Sequence, residues 1–285
     1  PRERQLFKNI CYVGALSHLI NIEPAVIEQL LKEEFASKPK LIGANLNAFN
    51  LGRDWAAKHL KPIGLQLKRA DAGGNRICVE GNQAAALGAV YGGATVCAWY
   101  PITPSTSLAE AFTGYCEDLR TDEDGSKRYA IVQAEDEIAS IGIVVGAGWN
   151  GARAFTCTSG PGISLMNEFI GLSYFAEIPA VIFDVQRGGP STGMPTRTQQ
   201  SDLLLAAYAS HGDTKHVLLF PSSPTECFSM GAEAFDLAER LQTPVMVLSG
   251  LDIGMNDWVT EPFSWDDRRV HDRGKVLTAA ELDSF

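Results

Sequence analysis

The sequence predicts an α/β fold built on a parallel sheet, and three observations carry that expectation. From Ile77 onward, short runs rich in Val, Ile, Phe and Cys alternate with longer stretches of helical periodicity. The runs are apolar nearly end to end, as strands covered on both faces are. Glycine-rich polar segments recur directly behind the runs, which is where ligands sit in such sheets. With 285 residues, 45% of them apolar, there is material for one large α/β domain and a smaller piece.

Taken in order, residues 1–60 read as helical. Asn21 suits an N-cap, Pro24 the first turn behind it, and Ile27, Leu30 and Leu31 one apolar stripe. A second helix is expected over 46–59. Residues 61–76 mix Pro, Gly and charge and read as a linker. The α/β domain is then expected over 77–260, with 261–285 opening a further region. Its strand candidates are 95–99, 128–133, 153–158, 180–185, 216–220 and 244–248, and helices are expected over 137–149, 164–175 and 224–241. The chain begins at Pro1 rather than Met and ends at Phe285 shortly inside an apparent new element, as an excerpt of a longer polypeptide would.

The formal charge of −10 disfavours nucleic acid as a partner, because an acidic surface repels phosphate backbones. No signal peptide and no apolar run of membrane-spanning length is evident. Cys11, Cys78, Cys97, Cys116, Cys157 and Cys227 form no C-x-x-C pair and lie in strand-like or helical runs. They read as reduced residues of a cytoplasmic protein, so no metal site is expected from this chain alone.

Three loops behind strands carry candidate chemistry. In Tyr100-Pro101-Ile102-Thr103-Pro104-Ser105-Thr106, two prolines fix the backbone about Thr103, and Ser105 or Thr106 suits the cap of the next helix. Hydroxyls at a helix start suit a carboxylate, and the same residues also suit a rigid turn with an ordinary cap. Thr158-Ser159-Gly160-Pro161-Gly162 lets backbone approach a ligand closely, or is a plain strand-to-helix turn. Arg187 leaves an apolar strand into Gly188-Gly189-Pro190-Ser191, on a loop that continues through Arg197; a guanidinium fixed there suits bidentate binding of a carboxylate.

The cluster Glu135-Asp136-Glu137 opens an apolar helix. Acids belong in a first turn on electrostatic grounds, but Glu137 adjoins the apolar stripe of Ile138 and Ile141 and is expected to be partly buried. The G-x-G-x-x-G match at 146–151 is followed at once by a strand rather than a helix, which argues against a dinucleotide site. The five histidines lack metal spacing, although His211 follows a helix and suits a cleft wall.

Together these stretches resemble the alpha subunit of 2-oxoacid:ferredoxin oxidoreductases, of the fused gamma–alpha type. The matching segments are GNQAAALGAVYGG, YPITPST, QAEDEIASIGIVVGAGWNGA, TSGPGISLMNE and QRGGPSTGMPTRTQQSDL, in family order from Gly81 to about Asp257. Residues 1–60 resemble the tail of the family's gamma domain. The resemblance implies the pyrimidine-binding domain of thiamine-diphosphate enzymes. In that fold a glutamate at a helix start bonds N1′ of the aminopyrimidine and promotes the tautomer that takes the proton from thiazolium C2.

A glycine usually stands nine residues after that glutamate. Gly146 fits Glu137, whereas Glu135 would need glycine at Val144, so Glu137 is preferred with Glu135 as the alternative. The match further implies that Thr103 and Arg187 hold the substrate carboxylate. Ile102, Ser159, Gly160 and Pro161 would lie against the cofactor, and Arg197 would meet a distal carboxylate such as that of 2-oxoglutarate. The magnesium and diphosphate signature and the cluster cysteines are lacking, which implies a beta subunit carrying magnesium and a [4Fe-4S] cluster. Coenzyme A and ferredoxin would complete the reaction. Rival readings are a pyruvate- or arylpyruvate-specific member, and a non-catalytic α/β scaffold subunit.

Overall fold

A computed structural model describes residues 7–61, 63–70, 73–191 and 193–284. The chain divides into two units, Pro1–Gly74 and Asn75–Phe285.

In the first unit, helix α1 (Lys8–Leu19) packs on α3 (Pro39–His59), with α2 (Pro24–Glu34) between them in sequence. The α1–α3 crossing is close because Gly14 and Gly52 carry no side chain: a Cβ on either would overlap backbone of the other helix. Asn21 is not the cap of α2. It sits at φ 59° in the turn after α1, and Glu23 holds the N-cap position ahead of Pro24. Asn tolerates that left-handed conformation better than most residues, so it serves the turn and not the cap. Helix α3 begins earlier than 46, because Pro39 is at its N-terminus, where proline's missing amide costs nothing. The linker region runs back along this unit, with Leu67 N donating to Ile20 O and Arg69 paired with Glu23.

The second unit follows the order β1 (Ile77–Glu80), α4 (Gly81–Tyr91), β2 (Val96–Trp99), α5 (Thr106–Leu119), β3 (Ala130–Gln133), α6 (Glu137–Trp149) and β4 (Ala154–Thr158). It continues through α7 (Gly160–Phe175), β5 (Ala180–Gln186), α8 (Leu203–Ala207), β6 (Val217–Leu219), α9 (Pro224–Leu241) and β7 (Pro244–Gly250), then α10 (Leu251–Met255), β8 (Asp257–Thr260) and α11 (Ala279–Leu282). Six strands form one sheet in the order β3-β2-β4-β5-β7-β6, and every pairing in it is parallel. β1 and β8 form a separate antiparallel ribbon. The six strand candidates from the sequence are these six.

Alternation along the strands divides the core into two. Cys97, Phe155, Phe183 and Val247 face α4, α5 and α9. Their neighbours Ala98, Ala154, Ile182 and Met246 face α6, α7 and α8. Burial on both faces is why the strands read as unbroken apolar runs. On the first face Phe155 meets Phe112, Phe183 and Phe235 edge-on at centroid distances of 4.8, 5.4 and 6.2 Å. Such edge-to-face pairs contribute about 0.5–1.5 kcal/mol each beyond area burial.

Helix α7 starts at Gly160 rather than 164. Gly-Pro-Gly forms its first turn, with Pro161 at a position where proline is tolerated. Residues 261–274 lie against the sheet unit. Phe263 stacks on Phe228, Trp265 meets Tyr91, and Arg269 binds Asp236. Buried Arg153 joins this segment to α9, pairing with Asp236 at 2.7 Å and Glu239 at 2.6 Å and donating to Asp272 O at 2.9 Å. Burial alone would push Asp236 up, but the Arg269 and Arg153 guanidinia outweigh it and hold its carboxyl below the usual range.

Candidate functional site

The direction of chain winding reverses at β2. The connection β2-α5-β3 runs to one side, and β4-α7-β5 continues on the other. β2 and β4 pair over only two residues, Val96↔Ala154 and Cys97↔Phe155, whereas β2–β3 and β4–β5 each pair over four. The two strands therefore part toward their carboxyl ends and open a crevice at the switch point, the usual ligand position in such sheets. The loops that flank it are those the sequence singled out.

Behind β2, Thr103 is half-buried on a loop whose Thr103–Pro104 peptide is cis. Ser105 and Thr106 do not cap α5 with their side chains. Both hydroxyls donate back to Ile102 O, at 3.0 and 3.3 Å, alongside the amides of the same two residues. The Ile102 carbonyl is thus fully engaged within its own turn, which leaves its side chain as the part free to meet a ligand. Asn82, buried at the head of α4, secures the loop: its Nδ2 donates to Pro104 O at 2.8 Å and to Ser107 Oγ at 2.9 Å. Asn82 was not singled out from the sequence, although a short amide at the start of an alanine-rich helix was a usable signal.

Behind β3, the three acids separate by environment. Glu135 is exposed. Asp136 is the N-cap of α6, its carboxylate accepting from Ala139 N at 2.7 Å. Glu137 is 7% exposed and accepts no hydrogen bond from another described residue. Its neighbour is the loop behind β4: a Cβ at Gly162 would overlap Thr158 Oγ1 and lie 3.1 Å from Glu137 Cγ. The bare glycine lets the turn pack directly against Thr158 and the Glu137 side chain. A largely buried carboxyl with no hydrogen-bond partner among the described residues suits a ring nitrogen of an aminopyrimidine.

Behind β4 and β5, Ser159 is fully buried and its Oγ accepts from Arg187 Nε at 3.1 Å. Arg187 also donates to Gly188 O and Ser191 O, so its partners among the described residues are neutral oxygens. It lines a cavity of about 390 Å³ together with Gly160, Pro161, Ser164, Ser191 and Asp202. A buried cation with neutral partners at the wall of a cavity favours an anion there. Arg197 is not in that cavity: its side chain is exposed, and its carbonyl ties the loop by accepting from Gly188 N at 2.7 Å. His211 is exposed beside Glu168 and lines no cleft.

Two carboxyl groups, Asp202 in the cavity wall and Asp184 enclosed in β5, went unread in the sequence. Asp184 is 0% exposed, and neither of its oxygens has a hydrogen-bond partner. Burial, then the nearby Asp202, pushes its carboxyl well above the usual range. Burial also raises Asp202, against the Arg187 guanidinium and the Gly160 backbone hydrogen bond, which favour its ionised form. Among the buried cysteines, burial pushes the Cys157 thiol up to about 12, which makes it a poor nucleophile.

The fold and this edge of the sheet define a class: a doubly wound parallel α/β domain whose polar, glycine-rich loops gather at the carboxyl edge of the sheet. The sequence carries the family. Residues 87–255 match the pyruvate flavodoxin/ferredoxin oxidoreductase, thiamine diphosphate-binding family, and residues 3–55 match the pyruvate ferredoxin/flavodoxin oxidoreductase family. The chain belongs to the thiamine-diphosphate-binding family of pyruvate flavodoxin/ferredoxin oxidoreductases.

It is 39% identical over 291 residues to subunit alpha of 2-oxoacid:ferredoxin oxidoreductase 1 of Aeropyrum pernix, covering 99% of this chain and 44% of that protein. It is 47% identical over 185 residues to 2-oxoglutarate synthase subunit KorA of Methanothermobacter marburgensis, covering 65% of this chain and 47% of that protein. A solved structure of 2-oxoglutarate:ferredoxin oxidoreductase from Magnetococcus marinus, with 2-oxoglutarate, coenzyme A and succinyl-CoA bound, superposes with a TM-score of 0.72. That match has 36% identity and covers 92% of this chain and 47% of that one. The chain spans about half the length of these relatives. No helix among the described residues is long and apolar enough to cross a membrane.

Proposed function

We propose that this chain is the pyrimidine-side part of the alpha subunit of a thiamine-diphosphate-dependent 2-oxoacid:ferredoxin oxidoreductase. It would act on 2-oxoglutarate and yield an acyl-CoA, carbon dioxide and reduced ferredoxin. The observation that carries the reading is Glu137, a buried residue whose carboxyl has no hydrogen-bond partner among the described residues, packed against the Gly162 turn, in a family that binds thiamine diphosphate. When bound, that cofactor supplies the carbon nucleophile and the electron sink for the cleaved bond.

The chain's own residues bind, orient and move a proton. Glu137 holds the aminopyrimidine edge and shares a proton with its N1′ nitrogen. The Ser159–Gly162 turn and the Ile102 side chain flank that ring. Arg187, oriented through Ser159 Oγ, receives the substrate carboxylate, with Thr103 as a second donor on the facing loop. Magnesium, the diphosphate and the iron–sulfur cluster would lie on a beta subunit. The 2-oxoglutarate preference is supported by the relatives named for that substrate and by the neighbour that holds it, and not by Arg197, which does not line the cavity.

The test is Glu137→Gln in the reconstituted complex, assayed by 2-oxoglutarate-dependent viologen reduction. Turnover is expected to fall about 10²–10⁴-fold, the usual weight of a positioned acid–base group. Near-normal turnover would remove Glu137 from the mechanism.

A further inference from the structure

Asp202 is set into the same wall as Arg187. It is 7% exposed and borders the cavity that Arg187, Gly160 and Ser191 also line. Its carboxylate is packed so tightly on Gly160 that a Cβ there would overlap it, which places it against the first amide of α7. Its own amide donates to Gln186 Oε1, in the last residue of β5, immediately before Arg187. Below it, Asp184 is wholly enclosed with both oxygens unanswered. Charge on either carboxyl disfavours charge on the other. The positive end of α7 and the Arg187 guanidinium both favour charge on Asp202, so the proton of the pair stays on Asp184.

We infer that Asp202 is a positioning residue for the reaction, one that limits the grip of Arg187 on the substrate carboxylate. The inference rests on the reading of Arg187 as the carboxylate-binding group. The chemistry gives the reason. In decarboxylation the bond from the carbonyl carbon to the carboxylate breaks, its electron pair stays with that carbon, and the carboxylate leaves as neutral carbon dioxide. A guanidinium that holds the carboxylate strongly stabilises the ground state, and the transition state, in which that charge is fading, gains less. A fixed anion in the field of the guanidinium lowers the ground-state hold and leaves the neutral product untouched.

The experiment uses the reconstituted complex with Asp202→Asn, which retains the shape and an acceptor for the Gly160 amide and deletes the charge. The KM for the 2-oxoacid is expected to fall about 3–10-fold, with kcat falling by no more than that, the split that marks loss of ground-state destabilisation. The dissociation constant of a 2-hydroxyacid analogue, which cannot decarboxylate, is expected to fall in parallel. In an Arg187→Gln background, Asp202→Asn is expected to leave both constants unchanged. A merely structural aspartate would give the opposite pattern, a KM that rises or stays level while kcat drops, and that result overturns the inference. If Arg187→Gln raises KM but Asp202→Asn does not lower it, this inference fails and the reading of Arg187 stands. If Arg187→Gln moves neither KM nor analogue binding, both fail. Asp202→Ser, smaller but still an acceptor, takes the place of Asp202→Asn if the latter does not assemble, with the same expected directions.

Discussion

Asp184 holds a proton in the folded chain that it would release on unfolding at neutral pH, because its enclosure penalises the charged form. The sign of the stability effect follows. Between the ordinary carboxylate value and its raised folded value, the folded state binds the extra proton, so this group's contribution falls as pH rises, by about 1.4 kcal/mol per pH unit at most. Asp184→Asn replaces a neutral acid by a neutral amide of the same shape and removes that slope. The variant is expected to be more stable than the parent at neutral and alkaline pH, and the advantage is expected to shrink toward pH 4. Denaturant midpoints across pH, at unchanged m, measure this; an advantage that grows on acidification would contradict a protonated Asp184. At this scale the sequence was legible where a motif supplied phase. Helix position separated Glu137 from Glu135, and burial agrees. The Asp184–Asp202 pair was not legible, because the two sit on either side of the loop that carries Arg187, and only its path brings them together.

Among elements, α6 and α9 were legible to the residue, and the cause is shared: each starts at a polar N-cap, Asp136 or Ser223, whose side chain accepts an amide of the first turn. Helix α4 was not read as an element at all. Its Ala- and Gly-rich run is buried on nearly every side and shows no polar face to set a period, although Glu80 and Gln83 form a capping box at its start. Small residues there serve contact with α9. A Cβ at Gly88 would overlap the Phe228 carbonyl, and one at Gly231 on α9 would lie 3.0 Å from the Ala85 carbonyl oxygen. Gly88→Ala is therefore expected to destabilise the protein by about 1–3 kcal/mol through overpacking, despite alanine's better helix propensity. Because α4 carries Asn82, which secures the Thr103 loop, the same change is expected to raise the KM for the 2-oxoacid. Thermal melting and steady-state kinetics on one variant check both; a Gly88→Ala protein that melts higher would mean that the helices have room to part.

On the scale of the whole second unit, the sheet divides its side chains between two layers, and the site lies where the loops of both layers meet at the carboxyl edge. That plan was legible from strand–helix alternation alone. The role of residues 261–274 was not, since Trp265, Phe263, Arg269 and Asp272 find their partners on α4, on α9 and just ahead of β4, far away in sequence. This segment closes the edge of the sheet opposite the site. Without it, Arg153 would lose the Asp272 carbonyl, Asp236 would lose Arg269, and two acids would face one arginine with water admitted. Uncovering part of a buried charge network costs about 3–5 kcal/mol, and each kcal/mol shifts the melting point of a unit this size by about 2–4 °C. Deleting residues 262–285 is expected to lower the melting temperature by about 10 °C. The Glu137 and Arg187 loops lie at the other edge, so the loss is expected in stability and not in the KM of whatever protein remains folded. A deletion that melts within about 2 °C of the parent would mean that Arg153, Asp236 and Glu239 balance one another unaided, and that the segment only rests on the sheet.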